Sequence, residues 1–158
     1  MSNKDLDFIR RELFSSLKDI KPGTKANWGK MGPQHMVEHL ADFFDISSGK
    51  LKFDLITPAE QLPAYRNFLF SDKEFRENTK APLTILGDEP LSLRKQNIEE
   101  AIIDLEESVS DFFKYHENEA AVPTVHPVFG ALNPDEWIRL HFKHVSHHLR
   151  QFGLKSYT

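Results

Sequence analysis

Apolar residues recur at every third or fourth position along four segments of the chain, and this spacing constrains the fold more than any other feature of the sequence. A repeat of that length places the apolar side chains on one face of an amphipathic helix. The spacing predicts four main helices, over about residues 6–20, 32–48, 91–116 and 133–152. Proline at the first helical turn and glycine just past the last one support the bounds of the fourth helix, where Pro134 and Gly153 stand.

Four amphipathic helices without an alternating strand pattern predict an all-α fold, an up-down four-helix bundle in which residues 1–158 form one domain. Four prolines interrupt residues 51–90, between the second and third helices. We therefore expect a long irregular crossover there, with one or two short helices packed over an end of the bundle. A second irregular connection is predicted over residues 121–132.

The composition excludes several classes of site and partner. The chain has no cysteine, which excludes disulfides, cysteine-ligated zinc and a cysteine nucleophile. Its formal net charge is −4 without a block of like charges, so no electrostatic footprint for nucleic acid or for an anionic membrane surface is present. The N-terminus is charged and no apolar run approaches ~18 residues, so we expect a cytoplasmic, soluble protein without a signal peptide or membrane span.

Histidine is the unusual residue in this composition, because four of the eight histidines fall within residues 141–148. On a helical wheel, His141, His144 and His148 share the face of Trp137, which we expect to be buried. The cations of this helix lie on the opposite face, and His147 lies at the flank. Buried imidazoles are costly unless both ring nitrogens find partners, since in each neutral ring one nitrogen donates and the other accepts.

A shared cation would satisfy several of these rings at once. His144 and His148 are four residues apart, a spacing that stacks two side chains on a helix so that both can reach one ion. The second helix offers a third ligand, His39, at the edge of its apolar face, whereas His35 lies one turn earlier and closer to solvent. The sequence therefore predicts a divalent metal site formed by His39, His144 and His148.

Other interpretations of the histidines stay open. The rings could form a buried hydrogen-bond network with carboxylates, for which Glu38, Asp42 and Asp45 are candidates. A bis-histidine haem is a further alternative, although rings on adjacent helical turns chelate a small ion more readily. His116 and His126 are each expected to be hydrogen-bonded core residues. Imidazole ligands suit zinc, nickel, iron, copper and cobalt, so the ligand type alone does not select the metal.

Two stretches of the chain resemble metal-binding segments of the DinB/YfiT-like superfamily, one from Trp28 to Leu40 and the other from His144 to Gln151. The string His126-Pro127-Val128-Phe129-Gly130, followed by the histidine-rich helix, is similar to one branch of that superfamily. The resemblance implies a four-helix bundle, often in a homodimer, with a three-histidine site for nickel or zinc, or for iron or cobalt. It places the first ligand at His39 and the other two in the second stretch. Relatives include a mycothiol-dependent maleylpyruvate isomerase, bacillithiol transferases and proposed hydrolases.

Three histidines leave positions open on a divalent ion, which favours catalysis over a structural role, because structural zinc usually has four protein ligands. We expect an enzyme that acts on a small molecule, either a hydrolase or a transferase that uses a low-molecular-weight thiol. His141 or a nearby carboxylate is the expected proton carrier, and Gln151 is expected to orient a ligating ring. The alternative is a metal-binding or ligand-binding helical bundle without catalysis.

Overall fold

The computed structural model describes residues 3–79 and 89–154, and this part of the chain is mostly helical. A π-helical turn, Phe8–Glu12, joins the first two helices, and a 3₁₀ turn, Ala59–Gln61, precedes the fourth. The α-helices are α1 (Asn3–Asp7), α2 (Leu13–Leu17), α3 (Pro33–Ser47), α4 (Leu62–Phe70), α5 (Ile98–Glu117) and α6 (Pro134–Gln151). Among the described residues, no helix combines the length and the apolar character needed to cross a membrane.

The core forms where α3, α5, α6 and the N-terminal helical segment meet. Phe44 of α3 meets Phe112 of α5 edge to face, with 5.8 Å between ring centroids. Phe8 in the π-helical turn contacts Phe142 of α6 at 4.9 Å. Fully burying one large apolar side chain stabilises the fold by about 1.5–3 kcal/mol, so these interlocked rings fix how the helices lie against one another.

The predicted start of the histidine-rich helix is confirmed at α6. The Asn133 side chain accepts a hydrogen bond from the Glu136 N–H at 2.9 Å, and the Glu136 carboxylate accepts one from the Asn133 N–H at 2.9 Å. This reciprocal pair satisfies two backbone donors that a helix start leaves free, and such a cap contributes about 1 kcal/mol. Because the cap fixes where the helix begins, it also fixes which side chains face the core.

A β-hairpin corrects the all-α prediction and the irregular connection predicted over residues 121–132. Strand β1 (Thr124–His126) pairs antiparallel with β2 (Gly130–Leu132), and His126 lies opposite Gly130. Gly130 has φ +85°, a left-handed conformation that glycine adopts without strain. Three-residue strands are too short to produce a recognisable alternation in the sequence, which is why the pattern did not reveal them.

The third predicted helix begins later than its periodicity indicated, at Ile98 rather than near residue 91. Leu91 and Leu93 are 46% and 47% exposed, so these leucines at the predicted start of the helix do not face the core. The buried Glu38 carboxylate accepts the backbone N–H of Arg94 at 2.8 Å, which holds this segment non-helical against α3. The Asn97 side chain then caps α5 by accepting from the Glu100 N–H.

The prediction of short helices within the crossover is confirmed by the 3₁₀ turn and by α4. Two cations of α6 hold the end of α4 in place: Arg139 and Lys143 each donate to the carbonyl of Ser71 at 2.8 Å. Residues 80–88 of the predicted crossover, and residues 1–2 and 155–158 of the predicted domain, lie outside the described residues.

Candidate metal centre

The structure brings together the three histidines that the sequence selected as ligands. The Nε2 atom of His144 lies 3.1 Å from Nε2 of His39 and 3.0 Å from Nε2 of His148. The ligand atoms of all three rings lie within 4.8 Å of one another. Helix α3 supplies one ring and α6 supplies the other two from consecutive turns, so the contact depends on how these two helices pack.

These separations fit a shared divalent cation. Two nitrogens that each lie ~2.0–2.1 Å from zinc are about 3.3–3.4 Å apart at a tetrahedral angle and about 2.9 Å apart at a right angle. The observed 3.0 and 3.1 Å fall between the right-angle and tetrahedral separations. The third pair, His39 and His148, has ligand atoms within 4.8 Å of each other, and a shared ion requires those two atoms to lie no more than about 4.1 Å apart.

Burial keeps the three rings uncharged. Desolvation lowers the pKa of His39 to about 4, with a smaller effect from the charge of His147. Desolvation, followed by the charges of neighbouring histidines, also holds the pKa values of His144 and His148 well below their usual range. A neutral imidazole keeps the lone pair that a metal ligand needs, so the rings are in the protonation state for binding at neutral pH.

Gln151 determines which nitrogen of His148 carries the proton. Nδ1 of His148 lies 2.7 Å from the side-chain oxygen of Gln151, and the Gln151 amide nitrogen donates to the Trp28 carbonyl at 2.9 Å. The amide oxygen can only accept, so His148 donates from Nδ1 and presents a lone pair at Nε2. A ligating histidine held by a hydrogen bond from its other nitrogen is the usual arrangement at a metal site.

Hydrogen bonds alone do not satisfy the three converging nitrogens. Since Nε2 of His148 is an acceptor, Nε2 of His144 must carry the proton for those two atoms to hydrogen-bond. That single N–H cannot bond fully to His148 and to His39 at the same time. Nδ1 of His144 is then left as a buried acceptor that no described residue satisfies. A cation removes the conflict between the Nε2 atoms because each donates a lone pair to it.

A cavity of about 830 Å³ borders the three-histidine cluster. Its wall carries the aromatic rings of Trp28, Phe43, Tyr65, Phe68, Phe75 and Phe129. Among the described residues, no carboxylate or fourth histidine joins the group of close ligand atoms. An ion held there would have coordination positions left for a molecule in the cavity.

His141, the predicted proton carrier, also lines the cavity but does not join the cluster. Its Nε2 lies 2.8 Å from the Ser47 hydroxyl, which itself donates to the Phe44 carbonyl, so His141 is the donor. The ring stacks on Phe44 with 3.8 Å between centroids. Its proposed catalytic role stays a prediction, whereas its contacts join α6 to α3.

The other histidines near the site have separate contacts. His35 accepts the Gly32 N–H at 3.1 Å through Nδ1 and so caps the start of α3. His147 stacks obliquely against Trp28, with 5.4 Å between centroids. Burial, then the charge of Arg150, lowers the pKa of His147 to about 4.

Arg94 binds two of the carboxylates that the hydrogen-bond-network interpretation offered to the histidines. Arg94 makes a bidentate ion pair with Asp42, at 2.8 and 3.1 Å. Its backbone N–H donates to Glu38. Burial raises the pKa of Glu38, but hydrogen bonds from Arg94, Gln34 and Lys95 outweigh this and lower it overall. These contacts favour a role for the carboxylates in holding residues 94–95 against α3.

One family model matches this chain, over residues 63–155, and its description is a protein of unknown function, DUF1569. The match covers more than half of the 158 residues. The chain belongs to the DUF1569 family. Comparison with curated proteins and with solved structures gives no significant match.

The DUF1569 region contains His144, His148 and Gln151, but His39 lies outside it. The candidate site therefore combines ligands from the matched region with one from α3. His126 also falls within the DUF1569 region and lines the same cavity, a placement that the sequence analysis missed. Its spacing from the other histidines carries no helical signal, because the hairpin that positions it was not apparent in the sequence.

Proposed function

We propose that this DUF1569 protein binds one divalent metal ion, nickel or zinc ahead of iron or cobalt, through His39, His144 and His148. We propose further that it uses the ion to act on a small molecule. The reaction is hydrolysis of a small substrate or transfer of a low-molecular-weight thiol. The observation that carries the proposal is the clustering of three neutral rings, whose ligand nitrogens lie within 4.8 Å of one another, beside a large cavity.

The open side of the site supports catalysis over a purely structural role. Structural zinc is usually held by four protein ligands, whereas catalytic sites with three keep a position for water or substrate. A divalent ion bound there would supply Lewis acidity to whatever occupies its open positions. The aromatic rings of the cavity wall give that side apolar surface against which the carbon skeleton of a bound molecule can pack.

Gln151 and His141 have different parts in this proposal. Gln151 orients His148 and keeps its Nε2 lone pair available, through the bond to Nδ1. The Nε2–H of His141 is already engaged by Ser47, which favours a role in positioning α6 against α3 over proton transfer.

For the fold, we propose the up-down four-helix bundle of the DinB/YfiT-like superfamily. The two stretches that carry the resemblance meet in space, which supports this assignment. The Asn27 N–H donates to the Gln151 carbonyl at 2.7 Å, next to the bond between the Gln151 side chain and Trp28. Helix α3 follows Trp28 along the chain and α6 ends at Gln151, and these two helices supply the three ligands.

Metal content tests the ligand assignment directly. We expect freshly purified protein, or metal-free protein titrated with zinc or nickel, to bind about one equivalent. His144→Ala and His148→Ala should each lose most of the affinity, while His116→Asn, which removes a histidine outside the cluster and the cavity, should bind like the wild type. Well under one equivalent in purified protein, together with no uptake of either metal, would refute the proposed site.

Catalysis needs a separate measurement because a metal-binding bundle without activity would pass the first test. Metal-loaded wild type should be screened against ester, amide and thiol-transfer substrates. Metal-dependent turnover that His144→Ala abolishes supports the enzyme. A lower melting temperature for that variant, with no turnover in any wild-type sample, supports the binding bundle.

A further inference from the structure

His126 presents one fixed hydrogen-bond donor in the wall of the cavity. Its Nδ1 accepts the backbone N–H groups of Val128 and Phe129, at 3.0 and 3.2 Å. A nitrogen that accepts two N–H donors carries no proton, so the proton of the neutral ring lies on Nε2. The turn between β1 and β2 thus selects the tautomer, just as Gln151 does for His148.

This donor has no protein partner. His126 is only 4% exposed, and no described residue accepts a hydrogen bond from its Nε2. Nε2 keeps accessible surface toward the cavity that His126 lines, so water or an oxygen atom of a ligand can accept this N–H. Burial also lowers the pKa of this histidine to about 3, so the ring stays neutral near pH 7.

The residues around His126 indicate that the remainder of such a ligand is apolar. Its ring lies 5.7 Å from Phe43 and 5.2 Å from Phe129, measured between centroids. Phe43 also contacts His144, at 4.3 Å, so one phenylalanine ring lies between the donor and the three-histidine cluster. A molecule in the cavity therefore meets aromatic surface together with the His126 donor and the three-histidine cluster, and charged side chains within residues 73–76 also line the cavity.

We propose that the cavity takes an apolar small molecule that carries an oxygen acceptor, such as a carbonyl, carboxylate or other oxyanion, and that His126 binds this oxygen through Nε2–H. Aromatic rings of the wall hold the apolar part. This ligand would be the substrate class of the proposed enzyme, so its conversion to product rests on the proposed function. The test of ligand binding, however, needs no metal.

Two fluorescent probes that share one skeleton separate the donor from the apolar wall. Anilinonaphthalene sulfonate carries sulfonate oxygens, whereas phenylnaphthylamine has the same rings without them. Each is titrated into metal-free wild type, His126→Asn and His126→Gln. Asparagine can keep an acceptor near the place of Nδ1 but lacks a donor at Nε2, whereas glutamine can place an N–H there. His116→Asn, outside the cavity, is the matched control.

We expect His126→Asn to weaken binding of the sulfonate about tenfold or more, because a hydrogen bond to a charged oxygen is lost. Its affinity for phenylnaphthylamine should change less than twofold, and His126→Gln should recover part of the sulfonate affinity. His116→Asn should match the wild type. Partial unfolding would raise dye fluorescence by exposing apolar surface, so it cannot imitate the expected loss.

Equal losses for the two probes would show a packing role for His126 and overturn the proposal. Unchanged sulfonate binding in His126→Asn, or no binding of either probe to the wild type, would also overturn it. Failure of metal uptake with the expected probe difference would remove the metal proposal alone. Normal metal uptake, with equal effects of His126→Asn on the two probes, would remove the proposal for His126 alone.

Discussion

Gln151 connects a candidate ligand to the backbone of a distant segment. Its amide accepts from His148 with the oxygen and donates to Trp28 with the nitrogen, so neither end is free to rotate. Reversing the amide would place an N–H against the donor of His148 and an oxygen against a carbonyl. One side chain therefore sets the tautomer of the ring.

Replacing Gln151 by leucine should weaken metal binding about 10- to 100-fold, the usual loss when the partner of a ligating histidine is removed. The physical reason is that His148 loses the acceptor that keeps its proton on Nδ1. Zinc affinity measured by competition with a chelator checks this, and Gln61→Leu at the start of α4 is the control. Unchanged zinc affinity in folded Gln151→Leu would contradict the role assigned to Gln151.

Gly29 leaves room for that amide. Its φ is +79°, and a Cβ added there would lie 2.9 Å from Nε2 of Gln151. A side chain at this position is thus opposed both by the backbone conformation and by contact with the group that orients His148.

We expect Gly29→Ala to lower the free energy of unfolding by about 1–2 kcal/mol and also to weaken zinc binding. Gly23→Ala is a matched control, because a Cβ at Gly23 would have no neighbour within 4 Å. Urea unfolding and the chelator competition measure the two effects. A Gly29→Ala protein that equals Gly23→Ala in both would disprove the steric argument.

At the scale of elements, Lys143 of α6 holds the chain that follows α4. This buried lysine donates to the carbonyls of Ser71 and Lys73, and its Nζ lies 4.6 Å from the centre of the Phe68 ring. Burial, then the charge of Arg139, lowers its pKa to about 8. The contacts fix one side of the cavity, where Phe75 and the following residues lie.

Lys143→Met should keep the apolar stem but remove the ammonium donors, which leaves the Lys73 carbonyl without this donor and the Ser71 carbonyl with Arg139 alone. We expect faster amide hydrogen exchange in residues 71–76, with a local loss of protection of about 1–3 kcal/mol. Exchange in α5 should stay unchanged, which makes that helix an internal control. Uniform acceleration throughout the chain would instead indicate a global loss of stability.

Local signals in the sequence located some elements but not others. The cap formed by Asn133 and Glu136 placed the start of α6, because that interaction involves residues only three apart. The start of α5 was predicted too early, because the segment before it is held by Glu38, 56 positions from Arg94. A local apolar pattern does not reveal contacts between residues that are so far apart in the sequence.

For the candidate site too, local sequence signals predict some features, whereas long-range packing determines others. The spacing of His144 and His148 follows from helix geometry, and burial of His39 follows from the apolar face of its helix. The 3.1 Å approach of His39 to His144 depends on the packing of α3 against α6, whose geometry a spacing within one helix does not specify. His126 was missed since a turn of the hairpin, and not a helical spacing, brings it to the cavity.

At the scale of the whole molecule, the core contains several histidines that stay neutral. Burial lowers the pKa of His39 to about 4 and that of His126 to about 3, and it moves those of His141, His144 and His148 in the same direction. In the unfolded chain each returns to about 6.5. The unfolded state therefore binds more protons than the folded state at mildly acidic pH.

This difference sets the sign of the pH dependence. For a histidine with a depressed folded pKa, stability is fully present above about pH 6.5 and falls as the pH drops toward the folded pKa. In metal-free protein we expect the free energy of unfolding to decrease from pH 7 to pH 4, by at most about 1.4 kcal/mol per pH unit for each such histidine. Buried carboxylates titrate in the same range, so a comparison with a variant is needed.

His126→Asn provides that comparison, because the replacement does not titrate and His126 lies outside the three ligands. The stability of this variant, measured by urea unfolding, should depend less steeply on pH between about 6.5 and 3 than that of the wild type. The two curves should run parallel above pH 7, where His126 is neutral in both states. Parallel curves throughout the acid range would mean that His126 can take up a proton in the folded protein, in which case it could not serve as a fixed neutral donor.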